Sequence, residues 1–413
     1  MASETPSPAC HAWPARHDCR RACRARQGLA GRLPPPSEGG GIDSKCMSKD
    51  KKADYKLLSY FLILLVFGLV MLSSASVAMG YQKFGDSYFY IKKQLLYGVL
   101  PGLVLFFIFA KTDYHLLRKF GLTIYCLSLI LLLVVFLPGI GSAYGTKSNS
   151  WISLWGYSFQ PAEFAKLGMV VFLSYFISGK GREIFNFQRG FLITLGIGMI
   201  PVVLVILQPD IGTVSILFAI LFGLLYVGRA KILHLIGLAV AGLLGLIWMV
   251  AAAPYRAARL TTFLQPELDP QGIGYHINQA FLAIGSGGWF GRGLGGSLQK
   301  FQYLPEVAAD SIYAIIAEEM GFIFALGLIV LLILIAQRGL VLAKKAPDEF
   351  GRLMVSGIII WFITQSFLNI GAMVGVLPLT GVPLPFVSHG GTALMIALAG
   401  VGILANVSKQ VDL

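Results

Sequence analysis

LLSYFLILLVFGLVMLSSASVA, residues 57–78, carries no charged side chain and is long enough to cross a lipid bilayer as one helix. A hydrocarbon core of about 30 Å needs about 20 consecutive apolar residues. Nine more stretches of this kind follow, near 94–110, 119–138, 162–179, 190–207, 211–228, 231–252, 311–336, 353–375 and 385–407. Gly and Pro bound several of them, which membrane helices tolerate where neighbours satisfy the freed backbone. The pattern predicts an all-α polytopic membrane protein of ten transmembrane helices. One large loop, 253–310, separates the seventh helix from the eighth.

Composition supports this fold class. The 413 residues include 33 Lys and Arg against 20 Asp and Glu, a net charge of +13. Hydrophobic residues make up 56% and charged residues 13%, where a soluble domain has about 25% charged. Such a chain cannot coat a soluble particle with polar surface, so a water-soluble enzyme, a nucleic-acid-binding module and a disordered chain are excluded. The positive charge sits in short clusters between apolar runs. One set of loops holds Lys49, Lys51, Lys52 and Lys56, then Lys111, Arg118 and Lys119, then Lys180, Arg182 and Arg189, then Arg229 and Lys231. The same set continues with Arg338, Lys344, Lys345 and Arg352, and ends with Lys409. The positive-inside rule therefore predicts both termini in the cytoplasm and loop 253–310 on the outer face. Arg256, Arg259, Arg292 and Lys300 break the rule there, either as solvated loop charge or as contacts to an anionic ligand.

Residues 1–46 read differently. They are rich in Arg, Pro, Gly and Cys, without helical or strand periodicity. Cys10, Cys19, Cys23 and Cys46 lie there beside His11 and His17, but not at the paired spacings of a zinc site. The segment reads as a disordered extension, and Met47 offers a second start that would leave it outside the native protein. Residues 47–56 then form a basic cytoplasmic N-terminus, 57–407 the membrane domain and 408–413 a cytoplasmic C-terminus. No signal-peptide core precedes Met47.

Polar residues inside the spans are costly and mark candidate sites. SFQPAEFAKL opens the fourth span and sets Glu163 and Lys166 on one helical face, either as an ion pair or as ligand contacts. In LQPDIGT, Asp210 suits a helix cap. The glycines of 285–296 let backbone approach a ligand or another segment closely, and YHINQAFLAI has the spacing of a short interfacial helix. Leu304, Pro305 and Glu306 end the loop. Asp310 stands at the mouth of the eighth span, as a cap or as a working carboxylate, and Glu318 and Glu319 lie deeper, where at least one should be paired or protonated. LPLTGVPLPFVSHGGTAL predicts irregular backbone at membrane depth. Asn369, Ser388 and His389 would line that region, the histidine either as packing or as ligand. No metal-ligand spacing, phosphate-binding loop or Ser/His/Asp motif occurs.

Several of these motifs, in this order, resemble the SEDS family of shape, elongation, division and sporulation proteins (the FtsW/RodA/SpoVE group). They are LSSAS at 72–76, QPAEFAKL, QPDIGT, GYHINQ with GSGGWFGRGLG, YLPE with the following Asp, and LPLTGVPLPFVSHGG. The match spans about Leu57 to Val407, and IGSGGWFGRGLGGSLQK with YLPE is more similar to FtsW than to RodA. The resemblance implies ten transmembrane helices in the bacterial cytoplasmic membrane. It implies a peptidoglycan glycosyltransferase that polymerises lipid II, with a class B penicillin-binding protein as transpeptidase partner and other division or elongation proteins nearby. No nucleic acid is implied. It makes Asp310 the catalytic residue and carries substrate contacts onto Glu163, Lys166, Arg256, Arg259 and Gln279. Glu306, Trp151, Lys300, Asn369, Ser388 and His389 join them as candidate substrate contacts. A divalent cation, Mg or Mn, could share the diphosphate charge with Glu163 or Glu306 as ligand, though no metal site is dedicated to it.

Three departures stand out: Ser150 precedes Trp151 where an Arg is usual, Ala308, Ala309 and Ser311 replace the usual His-Thr and aromatic around Asp310, and His389 replaces a Tyr. In glycosyl transfer with inversion, Asp310 would take the proton of an acceptor hydroxyl. Arg256, Arg259 and Lys166 would meet the departing diphosphate. The helix N-terminus beside Asp310 is expected to favour its charged form and lower its basicity. Two other readings stay open: a lipid II flippase, and a non-catalytic scaffold that recruits the penicillin-binding protein.

Overall fold

The structure is a computed structural model, and it describes residues 53–411 apart from 138–140, 143–149, 155–156, 253, 266–271 and 302. The zinc and disorder readings of 1–46 lie outside the described residues. Among these, nine helices are long and apolar enough to cross a membrane. They are α1 (Tyr55–Ala75), α2 (Phe89–Lys111), α3 (His115–Val134), α4 (Pro161–Lys180), α5 (Phe187–Leu207), and later α7 (Ile232–Ala251), α10 (Ile312–Lys345), α11 (Glu349–Met373) and α12 (Gly391–Ser408). The remaining expected span is the 17-residue helix α6, Ile211–Val227. Two shorter helices, α8 (Pro254–Leu264) and α9 (Ile273–Ser286), belong to the large loop, so that loop is folded rather than open coil. A small antiparallel sheet, β1 (Gly141–Ser142), β2 (Trp151–Leu154) and β3 (Tyr157–Phe159), links α3 to α4, with Ile152 opposite Phe159.

Burial sorts the helices. On α1, Leu57, Phe61, Leu64, Leu65, Gly68, Met71 and Leu72 face inward at helical spacing, while Leu62, Val66 and Val70 face out. Most residues of α4, α11 and α12 are buried, whereas α7 buries only Leu235, Leu238 and Met249. The outward Leu, Ile, Val and Phe side chains match a lipid environment, where apolar surface carries no hydration cost.

At the end where the described residues begin and finish, ion pairs and hydrogen bonds lock the spans. Asp54 caps α1 and takes two hydrogen bonds from Arg338 of α10, at 2.7 and 3.2 Å. Asn406 of α12 donates to the carbonyls of Phe109, Ala110 and Thr112 at the end of α2.

Helix α10 differs from the single span expected at 311–336. It is broken at Gly321, whose φ of 80° and ψ of 179° lie outside the helix region. The half before the break, Ile312 to Glu319, is buried all round. After it, Phe322, Ile323 and Phe324 face out and the helix runs on to Lys345. A break frees backbone groups that apolar surroundings cannot satisfy. Here the glycine-rich turn satisfies them: Arg292 and Gly293 donate to the carbonyls of Glu318 and Glu319, and Phe322 donates to Gly288. A Cβ on Gly291 would collide with the Glu319 carbonyl, and one on Gly287 with that of Ala317. The glycines of 287–293 therefore dock backbone onto a broken helix.

Gly288→Ala should cost only its left-handed backbone (φ 57°, open space around), about 1–2 kcal/mol. Gly291→Ala adds a backbone collision at φ 76° and should lower the melting temperature in detergent well beyond Gly288→Ala. Equal melting of the two variants would contradict this docking.

Candidate active site

Asp310 ends the large loop, one residue before the N-cap Ser311 of α10. It does not cap that helix; Ser311 holds the cap position without a capping side-chain bond. Asn369 of α11 donates through Nδ2 to the carbonyl of Asp310 and to that of Val382, each at 2.8 Å. The His389 backbone N–H donates to the Ala308 carbonyl at 2.7 Å. These bonds stitch the segment 304–310 to the irregular run 376–390. The sequence placed both at one end of the bundle, and the structure makes them one surface.

The two carboxylate oxygens have different surroundings. Oδ1 lies 3.4 Å from the Ser311 hydroxyl. Oδ2 faces Gly381, where an added Cβ would sit 3.9 Å from it. Gly381 has a φ of 69°, so a side chain there is disfavoured and the space beside Oδ2 stays clear. Burial, then the charge of Glu306, pushes the Asp310 carboxyl up to about 7, against the smaller pull of its own backbone N–H, Ser311 and Arg259. This reverses the expectation that the helix terminus makes Asp310 a weak base. Desolvation outweighs the terminal dipole, and a carboxylate poised near neutrality is a better proton acceptor. Glu306 is exposed and holds a φ of 48°, a conformation non-glycine residues rarely keep outside functional turns.

Behind this surface runs a buried polar line. Lys166 pairs with Glu163 at 2.8 Å, both side chains being 3% exposed or less. The same ammonium donates to Gln365 Oε1 at 2.7 Å and lies over the Trp361 ring. Gln365 accepts from Trp361 Nε1 and donates to the Pro383 carbonyl at 2.9 Å. Gln94 of α2 accepts from the Gly390 N–H and donates to the Ser388 carbonyl. Ser388 in turn accepts from the Leu384 N–H.

The sequence candidates divide accordingly. Glu306 and Arg259 both act electrostatically on Asp310. Arg259 is exposed on α8; the side chain of Arg256 lies outside the described residues. Gln279 is half-buried on α9, and Trp151 is half-buried in β2. Asn369 and Ser388 are buried and hold backbone. The His389 ring packs edge-on against Tyr90, 5.1 Å between centroids, and burial, then Lys93, holds its pKa down to about 4. Lys166 presents no free charge in this arrangement. Lys300 is engaged elsewhere: its ammonium is buried, 2.8 Å from Glu319 and 2.7 Å from the Gly295 carbonyl. It neutralises a carboxylate that the broken helix would otherwise bury alone, with Ser74 as a second donor to Glu319. Glu318 accepts from Ser297 and from the Leu298 N–H. Both deep carboxylates are thus partnered, as their depth required.

The metal expectation finds little support in the donor set. Glu163 is engaged by Lys166, and among the described residues no three His, Cys, Asp or Glu side chains gather to hold an ion. A cavity of about 150 Å³ beside Gly181, Arg229 and Glu349 lies at the opposite end of the bundle. Side chains at the site that carry no motif signal in the sequence are His276, Lys93, Gln94 and Gln365. Gln365 lies four residues before Asn369, so the shared helical face was a usable signal.

A family model described as cell cycle protein, for the FtsW/RodA/SpoVE proteins, matches residues 55–413. Stage V sporulation protein E of Bacillus subtilis is 40% identical over 362 residues, covering 88% of this chain and 98% of that protein. A probable peptidoglycan glycosyltransferase FtsW of Geobacter sp. (strain M18) is 36% identical, covering 86% and 97%. A solved structure concerning coordination of polymerization and crosslinking by a peptidoglycan synthase complex aligns with a TM-score of 0.73 at 27% identity, over 87% of this chain and 98% of that one. The rod shape determining protein RodA of Thermus thermophilus aligns with a TM-score of 0.63 at 25% identity, covering 87% and 97%.

The buried pair yields a stability test. Glu163→Gln strands the Lys166 ammonium and should cost about 3–5 kcal/mol. Adding Lys166→Met to that variant should recover much of the loss in chemical denaturation. A double variant as unstable as the sum of the singles would contradict the pairing.

Proposed function

The chain belongs to the FtsW/RodA/SpoVE family of multi-pass membrane proteins, and we propose that it is a peptidoglycan glycosyltransferase that polymerises lipid II. The membrane is the bacterial cytoplasmic membrane, with both termini inside and the Asp310 surface outside. Basic loops at the terminal end support that orientation. A class B penicillin-binding protein is the proposed partner, which the likeness to a peptidoglycan synthase complex supports.

The observation that carries the reading is Asp310 itself. Its carboxyl, raised to about 7, turns one oxygen toward clear space beside Gly381, with Arg259 close enough to act on it. In the proposed reaction the 4-hydroxyl of a lipid-linked N-acetylglucosamine attacks the anomeric carbon of the growing strand. The C–O bond to undecaprenyl diphosphate breaks as the new β-1,4 bond forms, and Asp310 Oδ2 takes the hydroxyl proton. An α-linked donor giving a β product needs inversion, hence one displacement and one base. Arg259 suits the diphosphate charge, since a guanidinium meets phosphate oxygens with two hydrogens at once. The apolar outer faces of the spans suit the polyprenyl tails.

Purified protein with its transpeptidase partner and labelled lipid II tests this. Asp310→Asn should lower polymerisation by about 10²–10⁴-fold, and retention of the parent rate would contradict the assignment. The rate should rise with pH through a limb near 7, because the working form is deprotonated. Glu306→Gln removes a negative charge that raises the Asp310 pKa, so that limb should move to lower pH. A limb that stays in place would remove Glu306 from the account.

A further inference from the structure

His276 of α9 and Ser311 are bonded directly behind the proposed base. His276 Nε2 lies 2.6 Å from Ser311 Oγ. That hydroxyl is also 2.8 Å from the Pro305 carbonyl and 3.4 Å from Asp310 Oδ1. A serine hydroxyl has one hydrogen to give and two lone pairs to accept with. The Pro305 carbonyl and an ionised Asp310 only accept. The serine hydrogen can therefore serve them only if His276 is the donor, which requires the neutral tautomer carrying hydrogen on Nε2. Burial, then Arg259, holds the His276 pKa down to about 4, so the ring is neutral at working pH. Asp310 is faced by Arg259 from α8, by His276 through Ser311 from α9 and by Glu306 from its own loop. On its remaining side the run 376–390 presents uncharged Gly381 and Val382.

Position 311 holds a serine where the SEDS resemblance leads one to expect an aromatic.

We infer that His276 is a positioning residue for Asp310: by donating Nε2–H to Ser311 it commits the serine hydrogen to Pro305 and Asp310 Oδ1, which leaves Oδ2 aimed at the substrate. Pro305 and Asp310 bracket the loop end, so the one hydroxyl holds both. The inference rests on the reading of Asp310 as the base.

The experiment measures lipid II polymerisation by His276→Phe, His276→Gln, Ser311→Ala and the His276→Phe/Ser311→Ala double variant, with Asp310→Asn alongside. His276→Phe keeps a ring but no donor; His276→Gln restores a donor. His276→Phe and Ser311→Ala should each lower kcat by about five- to ten-fold with KM unchanged, the size expected from one lost hydrogen bond. The double variant should be no slower than either single, and His276→Gln should recover most of the rate. If His276→Phe does not fold, Ser311→Ala and His276→Gln carry the same expectation. Full rate in Ser311→Ala, independent losses in the double variant, or an effect confined to KM would overturn the inference. Full rate in Asp310→Asn would instead overturn the base assignment beneath it.

Discussion

Asn369 gives both hydrogens of its side-chain amide to backbone carbonyls, one at Asp310 and one at Val382, and the proposed reaction surface depends on that division. Two irregular segments meet there, each with backbone that apolar surroundings would not tolerate unpaired. One buried side chain satisfies both and fixes their separation. The Ala308–His389 backbone bond and the Gln365–Pro383 bond extend the seam. Through Gln365 it reaches the Glu163–Lys166 pair, so the buried polar residues of α4 and α11 form one support for a carboxylate at the loop end.

The same physics sets the character of Asp310. A carboxylate at a helix start is ordinarily made more acidic by the backbone N–H groups ahead of it. Here burial and a neighbouring carboxylate, Glu306, push the other way and win. Arg259 restrains the shift without cancelling it. The deep acids, Glu318 and Glu319, are treated differently: Ser297, Ser74 and Lys300 saturate them. Saturated acids hold the broken helix together, while the incompletely saturated one keeps an oxygen toward open space.

Much of this was legible in the sequence. The spans announce themselves by length and apolarity, and Asp310 by its place where the loop meets α10. The short helix expected in YHINQAFLAI is α9, and the Pro- and Gly-rich run 376–390 is irregular as read. The break at Gly321 was not legible, because the apolar periodicity runs straight through it and only a φ of 80° reveals it. Lys300 looked like a loop cation because its partner Glu319 lies beyond a turn and half a helix. Asn369 was visible as a polar residue inside a span, but its target is backbone, which carries no sequence signature. The raised pKa of Asp310 depends on burial and on Glu306, which only the folded chain brings to bear.

The most direct measurement is the titration of Asp310 itself, followed by infrared difference spectra of the parent against Asp310→Asn in detergent. The account predicts a protonated-carboxyl band, absent from the variant, that disappears with a midpoint near pH 7. A midpoint near the ordinary aspartate value of about 3.9 would mean that the carboxylate is solvated and unpressed by Glu306, and would contradict the account.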